Sequence, residues 1–254
     1  KLIEGKIQSG TGLVYIGADK ENALMPIKNY TGKLLTAVPK KEQEHFLTSG
    51  IPFEVLPAEP VFACQSANGC LARADGQPYV VTGNFGRGAV VALNYKAVFG
   101  RFNSAAGLTP NLPDSYPDRG VPYEFYYSLL AKSALYAAGK LPRTLFTGVK
   151  LRRESKSLQV EMHIDSQTAE DCTLEFFQMD RYLRRKYQGT HRVKLQAGEQ
   201  KLQFSLPAMD FAGQQTLSVL IHNAQNQVLN WGTWSWQDET AARISSLETD
   251  KQDY

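Results

Sequence analysis

The sequence predicts an α/β sheet domain over residues 1–142 followed by an all-β antiparallel sandwich over 143–240, with a polar tail at 241–254. Three observations predict it. Leu13-Val14-Tyr15-Ile16, bracketed by Gly12 and Gly17, is apolar without alternation, the pattern of a central parallel strand covered on both faces. Residues 123–140 carry helical spacing, with Tyr126, Leu129, Leu130, Ser133, Ala134 and Ala137 on one stripe. Beyond Arg143 the period switches to two: Leu158, Val160, Met162 and Ile164 alternate with Gln159, Glu161 and His163.

In chain order, residues 1–9 read as a helix end closed by Ser9-Gly10-Thr11-Gly12, and residues 19–29 as loop. Lys33 to Val38 forms a strand, and Pro39 to Leu47 a short amphipathic helix stopped by Ser49-Gly50. Pro52, Pro57 and Pro60 punctuate an extended connection. Val61 to Cys64 and Cys70 to Ala74 are short strands, and Asp75-Gly76 is a turn. Val80-Val81 and Ala89 to Leu93 flank Gly83-Asn84-Phe85-Gly86-Arg87-Gly88, which reads as a hairpin. A dinucleotide fingerprint would need a helix directly after its glycines, and a strand follows instead.

An irregular run from Tyr95 to Gly120 holds Pro110, Pro113 and Pro117, and structureless loops of this length in a compact domain are uncommon. Pro122 then suits a first helical turn, Glu124 complements the helix dipole there, and Gly139 with Pro142 ends the helix. In the second half Thr173 to Phe177, Val193 to Leu195, Leu202 to Leu206 and Leu217 to Ile221 repeat the alternating habit. Turns fall every 8–12 residues or so, with a hairpin at Ala197-Gly198-Glu199, and Trp234 and Trp236 share one face of a last strand.

Composition narrows the function classes. Hydrophobic residues make up 43% of the 254 and charged residues 21%, which excludes disordered and fibrous classes. The formal charge of +3 divides as +4 up to Arg143 and −1 beyond it, so neither half has the balance of a nucleic-acid binder. No apolar run approaches the ~20 residues that cross a bilayer, and Lys1 to Lys6 lacks the apolar core of a signal peptide. The chain opens on a helix in progress, so a segment preceding Lys1 is expected. Cys64 and Cys70 either close a small loop outside the cell or stand as two buried thiols.

Motifs for chemistry are sparse. His45, His163, His191 and His222 show neither H-x-x-x-H nor C-x-x-C company, so neither a metal nor a cofactor is expected. His163 and His222 fall on the polar side of alternating strands, where a solvated imidazole is the default. The run Arg181 to Lys186 reads as a charged strand edge, which discourages unwanted pairing. Asp114, Asp118 and Glu124 are the carboxylates available for glycosidic chemistry, which needs two at a fixed separation.

Gly12 to Gly17, the strand-turn-strand from Pro78 to Tyr95 and the helix YEFYYSLLAKSALYAAGK at 123–140 together resemble the C-terminal part of a class I glutamine amidotransferase-like (flavodoxin-like) domain. The following strands resemble an immunoglobulin or fibronectin-type sandwich, and the combination resembles large secreted or envelope proteins of bacteria, often near carbohydrate-processing modules. The resemblance implies a cysteine nucleophile on an elbow after Ile16 and a His-Pro-Glu element after the Val90 strand. Gly17-Ala18-Asp19 and Lys96-Ala97-Val98 stand there instead, so it implies a domain without its triad.

The expected function is a non-catalytic, carbohydrate-related ligand-binding or scaffolding region of a larger exported bacterial protein. Tyr95, Arg101, Tyr116, Asp118, Tyr123 and Glu124 are its candidate ligand residues, placed where open α/β sheets bind at strand ends. The alternatives are a carbohydrate-active hydrolase using carboxylates of the 100–124 loop, and a purely structural spacer. Expected partners are other domains of the same polypeptide and carbohydrate. The expected compartment is periplasmic or extracellular, with membrane anchoring through a preceding segment and a cytoplasmic home both left open.

Overall fold

The computed structural model describes residues 1–17, 21–97, 108–110, 120–180, 184–209 and 213–238. The chain begins with helix α1 (Leu2–Gln8) and strand β1 (Leu13–Ile16). Strands β2 (Ile27–Ala37), β3 (Pro39–Lys41), β4 (Glu59–Ala67), β5 (Cys70–Ala74), β6 (Gln77–Phe85) and β7 (Gly88–Leu93) follow. Helix α2 (Gly120–Ala137) leads to β8 (Thr144–Glu154), β9 (Ser157–Ser166), β10 (Glu170–Asp180), β11 (Arg185–Leu195), β12 (Gly198–Pro207), β13 (Gly213–Asn223) and β14 (Val228–Asp238).

In the first half a five-stranded sheet runs β1-β7-β6-β5-β3, beside a two-stranded ribbon of β2 and β4. β6 and β7 form the expected hairpin, with Phe85 opposite Gly88 and Gly86 at φ +61° making the reversal. β1 pairs with β7 in parallel, Leu13 opposite Val90, as its unbroken apolar run predicts. It lies at the end of the sheet, however, and all four of its residues are half-buried. One face of this sheet and helix α2 close over a core holding Leu71, Val80, Val91, Leu93, Tyr126 and Leu129.

That arrangement overturns the amidotransferase-like, flavodoxin-like resemblance and the α/β class assigned to the first half. Among the described residues strands make up 60% and helices 13%, with two α-helices. A flavodoxin-like sheet is parallel and needs a crossover, usually a helix, between successive strands. Here β5, β6 and β7 are consecutive antiparallel neighbours, and β1 with β7 is the single parallel pair among the described strands. Short connections leave no chain for crossover helices. The chain is predominantly β.

The second half is built as its period-two pattern predicts. A four-stranded sheet β11-β10-β13-β14 and a three-stranded sheet β12-β9-β8 enclose one core. Leu158, Val160, Met162 and Ile164 all point into it, against Leu174, Phe176, Leu217, Val219 and Ile221 of the facing sheet. Trp234 and Trp236 both pack on this core, sharing a face as expected. The supposed hairpin at Ala197-Gly198-Glu199 is a crossover instead, because β11 pairs with β10 while β12 pairs with β9 in the other sheet.

The 39–47 segment departs from expectation as well. Pro39 to Leu47 is no helix: β3 takes Pro39–Lys41 opposite Ala74–Ala72, and a turn follows at 45–50. Thr48 Oγ1 accepts from the His45 amide and donates to the Gln43 carbonyl, and the Leu47 amide donates to His45 Nδ1. Side chains that satisfy main-chain groups locally in this way favour a turn over a helix.

Candidate functional site

Of the six residues singled out as a ligand surface, Arg101, Tyr116 and Asp118 lie outside the described residues, as does Asp114. Tyr95 is fully buried and its hydroxyl donates to the Leu108 carbonyl at 2.6 Å. Tyr123 is half-buried against the first core. Glu124 is exposed, with Arg185 of β11 at 4.0 Å. Tyr95 and Glu124 therefore occupy different environments, one in the core and one on the surface.

Cys64, Cys70 and Cys172 are all free and buried. Burial pushes the Cys64 and Cys172 thiols up to about 11 and raises that of Cys70 as well. A thiol needs its thiolate to act as a nucleophile, and these environments oppose it. Cys70 Sγ donates to the Ala72 carbonyl at 3.1 Å, and the hydrogen bonds among the described residues put no histidine on either Cys64 or Cys70. The inference of a missing triad leaned on the resemblance and falls with it; the thiol environments stand on their own.

The first half also encloses a buried carboxyl that sequence reasoning passed over. Glu59 opens β4 with no solvent exposure, and the Tyr79 hydroxyl donates to its Oε1. Tyr79, Tyr95 and Tyr126 pack around it with centroids 5.8 Å apart for both successive pairs, the first pair tilted at 42° and the second edge to face. Burial raises the Glu59 carboxyl to about 8, against the opposing pull of the Tyr79 hydroxyl, so it is protonated at neutral pH. Its Oε2 and the Tyr126 hydroxyl have no geometrically formed partner, and a proton held on Oε2 supplies the missing donor. The signal available in the sequence was slight: a glutamate beginning an apolar strand, Glu59-Pro60-Val61-Phe62.

The second feature is the junction between the two halves. Helix α2 carries Tyr126, Leu129, Leu130 and Ala137 of the predicted stripe into the first core, Ala134 being exposed instead, and its other face bears Glu124, Ser128 and Lys132 at a spacing of four. Each of these meets the second half or the turn beside it. Trp231 Nε1 of β14 donates to Ser128 Oγ at 2.6 Å. Lys132 Nζ donates to the Ser49 carbonyl at 2.8 Å, with the rings of Phe46 and Trp231 at 5.0 and 5.4 Å. Lys132 is fully buried, and its desolvation lowers the ammonium to about 7, partly offset by Glu44.

The 45–50 turn is the other jaw. Ser49 Oγ donates to the Phe146 carbonyl at 3.0 Å, and the Thr233 amide donates to the Gly50 carbonyl at 2.8 Å. Gly50 has φ +63°, and a Cβ there would stand 2.3 Å from Gly232 Cα, so the two main chains touch. Asn230 Nδ2 reaches the Thr144 carbonyl at 2.8 Å, tying β14 to the start of β8. Ser235 of β14 is bonded to the Glu54 carboxylate. Beside these contacts lies a cleft of about 440 Å³ lined by His45, Phe46, Leu141, Leu145 and Phe146.

Elsewhere several charged side chains pair with one another. Glu161 is the acceptor for Lys201 at 2.6 Å and lies against His163 at 3.1 Å, and these bonds hold its carboxyl down at about 2. His222 is less exposed than its alternation suggests, bound to Glu175 at 3.3 Å. In the basic run Arg184 pairs with Asp180 at 2.7 Å and Arg185 covers the Phe177 ring at 4.2 Å, on the edge strand β11. Among the described residues no group of three or more His, Cys, Asp or Glu could hold a metal, and no helix is long and apolar enough to cross a membrane.

No protein-family model matches the chain, and neither does any curated protein. Several solved structures are similar to part of it. Beta-glucosidase 3B from Thermotoga neapolitana is 13% identical over 37% of this chain and 16% of its own, at a TM-score of 0.26. The GH3 beta-glucosidase of Bifidobacterium adolescentis is 12% identical over 44% of this chain and 19% of its own, at 0.28. Catalytically inactive OgpA from Akkermansia muciniphila, in complex with an O-glycopeptide substrate, is 8% identical over 44% of this chain and 35% of its own, at 0.30. The chain thus spans well under half the length of these structures, whose names are those of carbohydrate-related proteins.

Proposed function

We propose that the chain is a non-catalytic scaffolding region of a larger exported bacterial protein, serving a carbohydrate-related activity through the domains around it. Its two units, 1–142 and 143–240, are held in one fixed mutual orientation. The observation that carries this reading is the junction itself. Ser128, Lys132, Ser49 and Gly50 of the first unit bond to or pack on Phe146, Trp231, Gly232 and Thr233 of the second. A main chain pressed on a main chain, with hydrogen bonds on either side of it, suits a fixed joint better than a linker. The buried thiols with raised pKa values support a structural role for the cysteines.

Turnover on a panel of chromogenic glycosides, with calorimetric titration of the same polysaccharides, tests the functional half of this reading. The expected result is no turnover by the chain, whether or not a glycan binds. Turnover abolished by Asp118→Asn would overturn it in favour of a hydrolase.

A further inference from the structure

We propose that the junction is a proton-sensitive latch: proton uptake at Lys132 loosens the grip of helix α2 on the 45–50 turn and β14, and uptake at His45 loosens it further. The geometry sets an ammonium with three donors against one acceptor, the Ser49 carbonyl, between two aromatic rings. The carboxylate that acts on it, Glu44, is already paired with Lys41 at 2.7 Å. The other carboxylates of the junction are engaged away from the ammonium, Glu54 with Ser235 of β14 and Glu124 facing Arg185 of β11, while Phe46 and Ser49 of the turn and Trp231 of β14 are uncharged. A cation so placed gains by moving into water, and opening the junction is the way to it.

His45 acts on the same jaw from the other side. Its Nδ1 accepts from the Leu47 amide at 3.2 Å, which puts the neutral ring's proton on Nε2, and burial lowers its pKa. Protonation turns Nδ1 into a donor facing that amide. The turn so disturbed is the one that presents Ser49 to Lys132 and Gly50 to Thr233.

The sign follows from linkage. With the junction closed Lys132 titrates near 7, and once exposed near its ordinary value of about 10.4. Between these values the open form binds the extra proton, so each pH unit lost from about 10 towards 7 favours opening up to about tenfold. Below 7 Lys132 contributes nothing further. His45, with its ordinary value of about 6.5 in the open form, then takes over as pH falls through the mid-6 range.

The test is hydrogen exchange of the Thr233 amide and the Trp231 indole N–H, each referred to an amide of the β9–β12 ladder and corrected for intrinsic rate. Wild type is expected to show opening that falls about tenfold per unit between pH 7 and 9, and that rises again below pH 6.5. Lys132→Met removes the first dependence. His45→Asn removes the second, because an asparagine oxygen keeps an acceptor for the Leu47 amide without titrating. Opening in wild type that is flat from pH 7 to 9 overturns the proposal even if Lys132→Met fails to fold, and so does a slope that survives in Lys132→Met. A junction closed at every pH would leave the scaffold reading standing, so the two fail separately.

Discussion

Glu59 and Lys132 are two buried ionisable side chains, and both are more stable neutral where they sit. Their effects on folding run in opposite directions. Glu59 titrates at about 8 in the fold and about 4.3 unfolded, so its contribution is complete below 4.3 and is lost as pH rises to 8. Lys132, depressed to about 7, penalises the fold below 7 and recovers between 7 and about 10.4. Glu59→Gln keeps a hydrogen-bonding side chain for Tyr79 and Tyr126 without a titration. Urea unfolding of this variant between pH 5 and 7 is expected to lose the downward slope of wild type; a slope unchanged by the substitution contradicts the placement of Glu59.

How legible these residues were depended on what gives them their role. Hydrophobic spacing exposed Leu158 to Ile164 and the apolar stripe of α2, because burial on one face leaves a period in the sequence. Glu59 and Lys132 leave none: a buried charge is defined by what closes over it, and those partners are 20 to 99 residues away in the chain. The stripe Glu124, Ser128 and Lys132 was there to be seen, but a polar helix face ordinarily means solvent. Arg101, Tyr116 and Asp118 fall outside the described residues.

At the scale of elements, the hairpin β6–β7, the strands of the second half and α2 with its cap were legible, since local turn chemistry and periodicity decide them. The Gly139 amide donates to Tyr136 and that of Lys140 to Leu135, closing α2 where Gly139 and Pro142 predicted. Three elements were misread for want of long-range information. β1 was placed centrally but ends its sheet, Ala197-Gly198 crosses between sheets, and Pro39 to Lys41 pairs with β5. Sequence shows that a residue run can be a strand; the neighbour it chooses is a tertiary fact.

The 45–50 turn is the element on which the junction depends. Gly50 holds a left-handed conformation and leaves no room for a Cβ against Gly232. Gly50→Ala therefore forces the two main chains apart, a loss of about 2 kcal/mol or more. Thermal unfolding should fall by roughly 4–8 °C for a chain of this size. An unchanged Tm would show that the two main chains do not meet there.

At the scale of the molecule, the class assigned to the first half failed for a physical reason. An apolar strand, a glycine turn and an amphipathic helix are shared by many sheet proteins, and a resemblance resting on them does not fix strand order. Antiparallel pairing along β3, β5, β6 and β7 leaves a predominantly β chain whose two halves meet through α2 and the 45–50 turn. What the chain does is then a question about that meeting.

Residual dipolar couplings of backbone amides in weakly aligned solution measure it most directly. Amides of β5 to β7 and amides of β8 to β14, fitted separately at neutral pH, are predicted to give one common alignment tensor. Two tensors differing in magnitude or orientation would mean that the halves move independently, and the fixed junction would be ruled out.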